Sequence, residues 1–431
     1  MEKLYLGVAR EIITPPLGAQ LFGYNFSTFA ESVHDDLTAT AFYFAYGEEK
    51  SLLITATVCS INNEITNTIL DQISKDTSVP KSNIILCATH THSGPNVMGM
   101  VGWGDVDTTY CETIFIPKIL KAVKDAVSSV QPITVSVASG NSNVGINRRE
   151  LKMKNNAIDF GQNPWGTYNP KMTIISFANG DKKVANLIHY GAHGTAAGCN
   201  KEITRDWSGL MIDAIEKESG AITAFINGPE GDVGPRISNG WTTGDITYVE
   251  ELGEVASKDA MRIYKTLGES KDVSMSAFST LVQIPYLPRI SLEEAMQGAK
   301  EYAGHTVNLK GQRCHYYNRV IQSYENGYKE EPSFDYYQTA IMIGPVSIVS
   351  CPFELFSEIA MRADRELKNT KLLMLSNANG EEGYMVTEDQ ICRGGYEVAM
   401  FQTQHSQPYV PNADWYIATQ TVNMLKDKEN K

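Results

Sequence analysis

Two histidines separated by a single residue follow an apolar, β-prone run in the segment 84–95. The run Ile84-Ile-Leu-Cys-Ala88 predicts a buried strand, and His90 and His92 lie at its exit, before a Ser-Gly-Pro turn. Because alternate residues of an extended strand point to one side, we expect both imidazoles to face the same direction. Neutral imidazole is a common zinc ligand, so this sequence could form half of a metal site.

A second pair of histidines brackets another predicted strand end. His189 closes the run Lys183–His189 and His193 follows in a Gly-Ala-His-Gly-Thr turn, in a chain with only eight histidines. Zinc hydrolases typically use two or three histidines and a carboxylate, and they keep one position for water. Glu354, at a strand end and in the first turn of a helix predicted over Phe353–Lys368, is the best-placed carboxylate.

Other interpretations of these residues stay open at this point. Glu230 and Asp232 are alternative carboxylates, in a loop whose glycines would let the backbone approach a ligand closely. Glu354 could merely cap its helix, and a lone buried histidine is usually a hydrogen-bonded core residue. His34 precedes Asp35 and is more typical of a structural ion pair. The remaining histidines, His305, His315 and His405, carry no signal.

Composition excludes several classes of protein. The net charge is −13, from 37 basic and 50 acidic residues, so we expect no nucleic-acid partner. The seven cysteines include no Cys-x-x-Cys pair, which indicates reduced thiols in a cytoplasmic protein. No signal peptide and no apolar run of membrane-spanning length is visible. A Gly-x-Ser-x-Gly elbow and a Walker A loop are both missing, which leaves hydrolysis by a metal-activated water.

The elements that must position these residues are those of one α/β domain over 1–431. We predict a mixed sheet with flanking helices and an active site at the carboxyl ends of the strands. Asp206 is the predicted N-cap of a helix over 207–218. The predicted strands share short β-branched or apolar runs that end in small or polar turns: Asn83–Ala88, Lys183–His189, Ala221–Ile226, Ala340–Ser350 and Lys371–Ser376.

Residues 265–335 differ in character and are predicted to form an inserted subdomain beside the active site. Ser291 and Glu294 match a capping box that opens a helix through about Tyr302. The tyrosines that follow are predicted to be packing and surface residues rather than a binding site: Tyr316, Tyr317, Tyr324, Tyr328, Tyr336 and Tyr337.

In this order, the motifs resemble the catalytic domain of the neutral/alkaline (non-lysosomal) ceramidase family. The blocks that carry the resemblance span nearly the whole chain: Gly7–Pro16, Thr89–Pro95, Asn147-Arg148, Ala192–Thr195, Gly231–Pro235, Pro352–Glu354 and Gly383–Thr387. The resemblance implies one zinc ion per chain. Its ligands would be His90, His193, Glu354 and Tyr384.

The same resemblance implies roles for three further residues. Arg148 would lie beside the scissile amide, Tyr396 would be a second active-site tyrosine, and His92 would act on the substrate rather than on the metal. These groups could orient the substrate and stabilise the oxyanion, and His92 or Tyr396 could pass a proton to the leaving amine.

Two departures from the family pattern bear on the substrate. The family carries an active-site serine where this chain has Gly234, so no serine nucleophile is implied from that loop. Family ceramidases also add a C-terminal immunoglobulin-like domain, for which this chain is too short. We therefore expect hydrolysis of an amide, or alternatively an ester, of a small or lipid-like N-acyl substrate. The alternatives are a hydrolase of sugar-linked amides and an inactive zinc-binding or ligand-binding module; the oligomeric state has no sequence signal.

Overall fold

In the largest sheet, the loop of His90 follows one edge strand. The loop of His193 follows the strand next to the opposite edge. The computed structural model describes residues 2–429. This sheet has eight strands, in the spatial order Ile222–Asn227, Lys182–Tyr190, Lys171–Asn179, Gln131–Asn141, Leu4–Ile12, Thr38–Tyr46, Glu49–Ala56 and Ile84–Ala88. Only the outermost pair on each side is parallel, and all other neighbours are antiparallel. The predicted α/β class with a mixed sheet is confirmed.

Each parallel edge is reached through a helical crossover, because parallel neighbours cannot be joined by a tight turn. Asn63–Thr77 leads to the strand Ile84–Ala88, and Trp207–Ser219 leads to Ile222–Asn227. The Asp206 side chain accepts a hydrogen bond from the Trp207 amide, so the predicted N-cap is confirmed.

The two edges of this sheet contact each other, which places their following loops side by side. The Thr55 hydroxyl donates to the Phe225 carbonyl at 2.7 Å, and the Asn227 amide donates to the Thr89 carbonyl at 3.2 Å. Beyond the strands, the His92 amide donates to the Gly194 carbonyl at 3.1 Å. The loop after Ala88 and the loop after Tyr190 therefore form one surface.

A second sheet of four strands packs on the first. Its strands are, in order, Met275–Pro285, Ser333–Ile343, Val346–Val349 and Lys371–Met374. The prediction of one continuous run over Ala340–Ser350 is wrong, because the chain reverses at Gly344, whose φ of +53° is left-handed.

The helix predicted over Phe353–Lys368 is also shorter than expected. It spans Ser357–Glu366, and Glu354 instead lies in a two-residue strand that pairs with Tyr384. One oxygen of Asp232 accepts hydrogen bonds from both the amide and the hydroxyl of Ser357, each at 2.8 Å. The helix is thus capped from a distant loop, and Glu354 neither belongs to it nor caps it.

The inserted region forms a helical pair between two strands of the second sheet. The capping box of Ser291 and Glu294 is present and opens Leu292–Glu301, which packs on Asn308–Glu325 around Tyr316. Tyr328 and Tyr337 are 64% and 68% exposed.

The remaining helices and short strands complete the layers around the two sheets. The helices are Lys81–Asn83, Thr108–Tyr110, Cys111–Phe115, Ile116–Ser128, Thr247–Tyr264, Glu388–Ile391, Tyr396–Thr403 and Ala413–Glu429. The short strands are Ser32–Val33, Gly145–Asn147, Arg149–Lys152, Ala157–Phe160, Glu202–Ile203, Val233–Pro235, Glu354–Leu355 and Tyr384–Met385. Within residues 2–429, each helix is too short or too polar to cross a bilayer.

Candidate active site

Three buried side chains from distant parts of the chain converge on one point. The Nε2 atoms of His90 and His193 lie 3.5 and 3.1 Å from the same carboxylate oxygen, Oε2 of Glu354. The two imidazole rings are 4.6 Å apart and nearly perpendicular. The ligand atoms of all three residues lie within 4.8 Å of one another, a spacing that one metal ion could bridge.

In both histidines, the ring nitrogen that points away from Glu354 contacts a backbone carbonyl. Nδ1 of His90 is 2.9 Å from the Cys59 carbonyl, and Nδ1 of His193 is 2.8 Å from the Glu230 carbonyl. A carbonyl only accepts, so each Nδ1 carries the proton and each Nε2 presents its lone pair to the centre. This is the arrangement of metal-binding histidines. A second observation also fits a metal site. Nε2 of His193 and Oε2 of Glu354 are buried without a hydrogen-bond partner in the described chain, so both are available to bind a metal ion.

Electrostatics also indicate a cation site. Burial lowers the pKa of His193 to about 3, which keeps it neutral. Burial alone would raise the pKa of Glu354, but His90 and His193 hold it well below its usual value. Burial would lower the pKa of His90, yet the influence of Cys59 and Glu354 raises it well above the ordinary value. The cluster therefore attracts one positive charge, and a metal ion would compete with a proton on His90.

Tyr384 lies directly beside Glu354, because the two residues are partners in a parallel strand pair. Its hydroxyl accepts a hydrogen bond of 2.9 Å from Nη2 of Arg148. Burial raises the pKa of this phenol well above its usual value. The structure thus brings all four predicted ligands to one region: the ligand atoms of three lie within 4.8 Å of one another, and Tyr384 is the strand partner of Glu354.

Arg148 is held rigidly under the site. Its Nε donates to Glu397 at 2.9 Å, and the other oxygen of Glu397 accepts from Arg149 at 2.5 Å. All three side chains are at most 7% exposed, so Arg148 keeps its charge in a fixed orientation. The Tyr396 ring is 5.8 Å from Tyr384, at the first residue of a short helix.

His92 reaches the same centre by a route that differs from the prediction. The strand ends at Ala88, and His90 has a left-handed φ of +67°, so the two histidines are not alternate residues of one strand. Their rings are nonetheless 4.9 Å apart, with the two Nε2 atoms separated by 3.3 Å. Burial, together with the neighbouring His90 and His193, lowers the pKa of His92 well below its usual value, so it is a neutral donor and acceptor.

The other residues considered from the sequence lie outside the centre. His189 contacts the Met374 carbonyl at 3.0 Å, and His34 pairs with Asp35 at 2.8 Å. Glu230 accepts from Asn377 at 2.6 Å, and Asp232 caps the neighbouring helix. These two carboxylates support the site from behind and do not belong to the ligand cluster.

An open cavity of about 460 Å³ leads to the cluster. The predicted residues His92, Arg148, His193, Tyr384 and Tyr396 form its floor. Its remaining walls come from six separate segments: Gly23, Tyr24, Trp103, Phe160, Thr195, Thr242, Thr243, Asn308 and Leu309. Sequence reasoning missed these wall residues, except that the segment of Asn308 and Leu309 was expected beside the active site. In the sequence, only the glycine of Gly23-Tyr24 indicates a turn at one of these segments, and it does not indicate a functional site.

Comparisons with known proteins agree with this architecture. A sequence model described as the N-terminal domain of neutral/alkaline non-lysosomal ceramidase matches residues 4–278. Neutral ceramidase of Pseudomonas aeruginosa is 22% identical over 204 residues, which are 44% of this chain and 30% of that protein. The sequence match therefore spans less than a third of the curated relative.

Solved structures are similar over a larger share of the chain. The crystal structure of neutral ceramidase from Pseudomonas aeruginosa has a TM-score of 0.74 and 17% identity, and covers 98% of this chain and 74% of that chain. A ceramidase complexed with C2 has a TM-score of 0.74 and 16% identity, and covers 99% of this chain and 76% of that chain. At these identities the likeness shows the fold.

Proposed function

Because this chain belongs to the neutral/alkaline non-lysosomal ceramidase family, we propose that it is a zinc-dependent hydrolase of a ceramide-like N-acyl substrate. The observation that carries the proposal is the convergence of His90, His193 and Glu354 on one point, with Tyr384 alongside. Zinc bound there would lower the pKa of a water molecule and polarise the carbonyl.

The protein's own groups would perform the remaining tasks. Arg148, whose charge is fixed by Glu397, would stabilise the negative charge that develops on the carbonyl oxygen. Tyr396, whose pKa is raised by burial, stays protonated and can donate a hydrogen bond to the same oxygen. His92 lines the cavity, and its neutral imidazole can relay a proton from the attacking water to the leaving amine. No side-chain nucleophile is needed.

The surroundings of Gly234 are consistent with a reaction in which water, and not a serine at this position, is the nucleophile. A Cβ at position 234 would lie 2.5 Å from Cβ of Thr242, closer than real Cβ contacts. The wall residue Thr242 thus fills the space into which a residue-234 side chain would project. A serine at 234 would require Thr242 to move, and we propose that the reaction proceeds without a serine hydroxyl at this position.

Metal analysis and a substrate series test the proposal. Protein purified without chelators should contain about one zinc per chain. It should hydrolyse N-acyl amides of graded acyl length, and His193→Ala should lose zinc and turnover together. An absence of bound transition metal would refute the central claim. Bound zinc without turnover on N-acyl amides, esters or sugar-linked amides would favour the binding-module alternative.

A further inference from the structure

A buried thiol lies against the histidines of the candidate metal site. Sγ of Cys59 is 3.7 Å from Nδ1 of His90, and Cys59 is only 3% exposed. One ligand atom from each of Cys59, His90 and His92 lies within 4.8 Å of the others, as is also the case for His90, His193 and Glu354. Two clusters that could each bind a metal ion therefore meet at His90.

The two clusters differ in the chemical character of their ligand atoms. The cluster of His193 and Glu354 combines imidazole nitrogens with a carboxylate oxygen, whereas the cluster of Cys59 and His92 has a sulfur in place of that oxygen. A thiolate is a soft ligand, and soft metal ions bind it in preference to a carboxylate. His92 lines the open cavity, which gives an ion from solvent a route to the sulfur cluster.

The two clusters compete for a single lone pair on His90. Nδ1 of this ring is 2.9 Å from the Cys59 carbonyl and carries the ring proton, so Nε2 provides the lone pair that can bind a metal. The same Nε2 is 3.5 Å from Oε2 of Glu354 and 3.3 Å from Nε2 of His92. An ion bound to His90 therefore lies either towards Glu354 or towards His92 and Cys59.

Given the zinc site proposed above, on which this inference rests, we propose that Cys59, His90 and His92 form a second metal position that takes a soft divalent ion, such as cadmium, in competition with zinc. Binding forms a bond between the ion and the Cys59 sulfur, and the thiol proton passes to solvent. The ion also takes up a nitrogen of His92, which is then lost as a proton relay. Cadmium should therefore displace zinc and stop turnover.

Cadmium titration of the zinc-loaded protein tests the second position. A cadmium–thiolate bond has an ultraviolet charge-transfer band, which should grow in wild-type protein while zinc is released. Cys59→Ser keeps the backbone carbonyl that contacts His90, so this variant should keep its zinc and lose most of the band. Cys111→Ser, at a buried thiol that belongs to neither cluster, is the control and should keep the full band. The exposed thiols Cys199 and Cys392 add the same background in every variant.

His193→Ala separates the two metal positions, because His193 belongs to the zinc cluster alone. This variant should lose zinc and still show the band that depends on Cys59. Loss of the band in both His193→Ala and Cys59→Ser would mean one site rather than two positions. Bands of equal size in wild type and Cys59→Ser, or a band that grows while zinc is retained, would also refute the competing second position.

The same measurements distinguish this inference from the proposed function. A band that depends on Cys59, in a protein that binds no zinc and cleaves no N-acyl amide, would refute the zinc hydrolase and retain the cadmium site. Zinc-dependent turnover without such a band would retain the hydrolase and refute the second position.

Discussion

The two ends of the cavity are built on different principles. The floor consists of buried polar and ionisable groups, and a backbone carbonyl or an ion pair fixes the orientation of some of them, as with Nδ1 of His193 and Nε of Arg148. The walls consist of neutral side chains from loops and from the inserted helical pair, such as Phe160 and Leu309. Changes at the floor should therefore abolish chemistry, whereas changes at the walls should alter which substrate reacts.

The largest effect should follow loss of a ligand at the floor. His193→Ala removes one of three converging atoms, and we expect loss of the metal and a fall in kcat of about 10³-fold or more. His90→Ala should behave in the same way. Metal content by mass spectrometry and steady-state kinetics measure the two effects together. A variant that keeps full zinc and full turnover would remove that histidine from the site.

Substitution of Arg148 separates an effect on catalysis from an effect on metal binding. Arg148→Ala should keep the zinc and lose about 10²–10³-fold in kcat, the usual cost of one oxyanion donor. Arg149→Ala is a matched control, because Arg149 pairs with the same Glu397 but also binds the Gly394 carbonyl, away from the cavity. It should lower the melting temperature and cost less than about tenfold in kcat. Similar kinetics in the two variants would indicate a purely structural Arg148.

Gly234 packs against the wall residue Thr242. In Gly234→Ser, the added side chain would collide with Thr242, and we expect a loss of about 1–3 kcal/mol of stability together with reduced turnover. The double variant with Thr242→Ala removes the obstruction and should recover most of the stability. Thermal melts and kcat/KM measure both effects. If the single variant is as stable and active as wild type, Thr242 does not occupy that space.

The walls should show smaller, substrate-dependent effects. Leu309→Ala enlarges the cavity, and we expect the relative kcat/KM for longer acyl chains to rise by up to about tenfold with zinc content unchanged. Leu287→Ala, at a 38% exposed leucine in the same inserted region, is the control and should leave the acyl-length profile as it is. An unchanged profile in Leu309→Ala would exclude this residue from substrate contact.

The difference between the floor and the walls also explains which parts of the site could be predicted from the sequence. The site histidines follow strand ends, so local patterns indicate a site formed by the two histidine pairs and a carboxylate. Only the resemblance to the family selects His90, His193 and Glu354 from these candidates. The family match covers 4–278, yet Glu354 and Tyr384 lie beyond it and reach the site through a two-residue strand pair. That pairing, and the capping of Ser357 by Asp232, depend on contacts between residues far apart in sequence. Local patterns therefore misplaced the helix.

The walls could not be predicted for a related reason. Tyr24, Trp103 and Thr242 lie in loops without periodicity, and contacts between residues far apart in sequence bring those loops together. The left-handed backbone at His90 likewise could not be predicted, because positive φ is uncommon for any residue other than glycine, although histidine adopts it more often than most. The structure brings His90 and His92 together, but the strand geometry on which the prediction was based is wrong.

His189 marks the boundary of the floor and should give the smallest effect on activity. His189→Gln should keep zinc and turnover, because the ring contacts Met374 rather than the ligand cluster.

Burial lowers the pKa of His189 from 6.5 to about 4, so between these values the unfolded chain binds the additional proton. Stability from this residue is present above pH 6.5 and is lost as the pH falls towards 4, by about 3 kcal/mol at most. Denaturant titrations of both proteins from pH 7.5 to 4 should therefore show the wild type losing more stability than the variant. Parallel curves would mean that His189 titrates normally, and loss of zinc in the variant would extend the floor to include it.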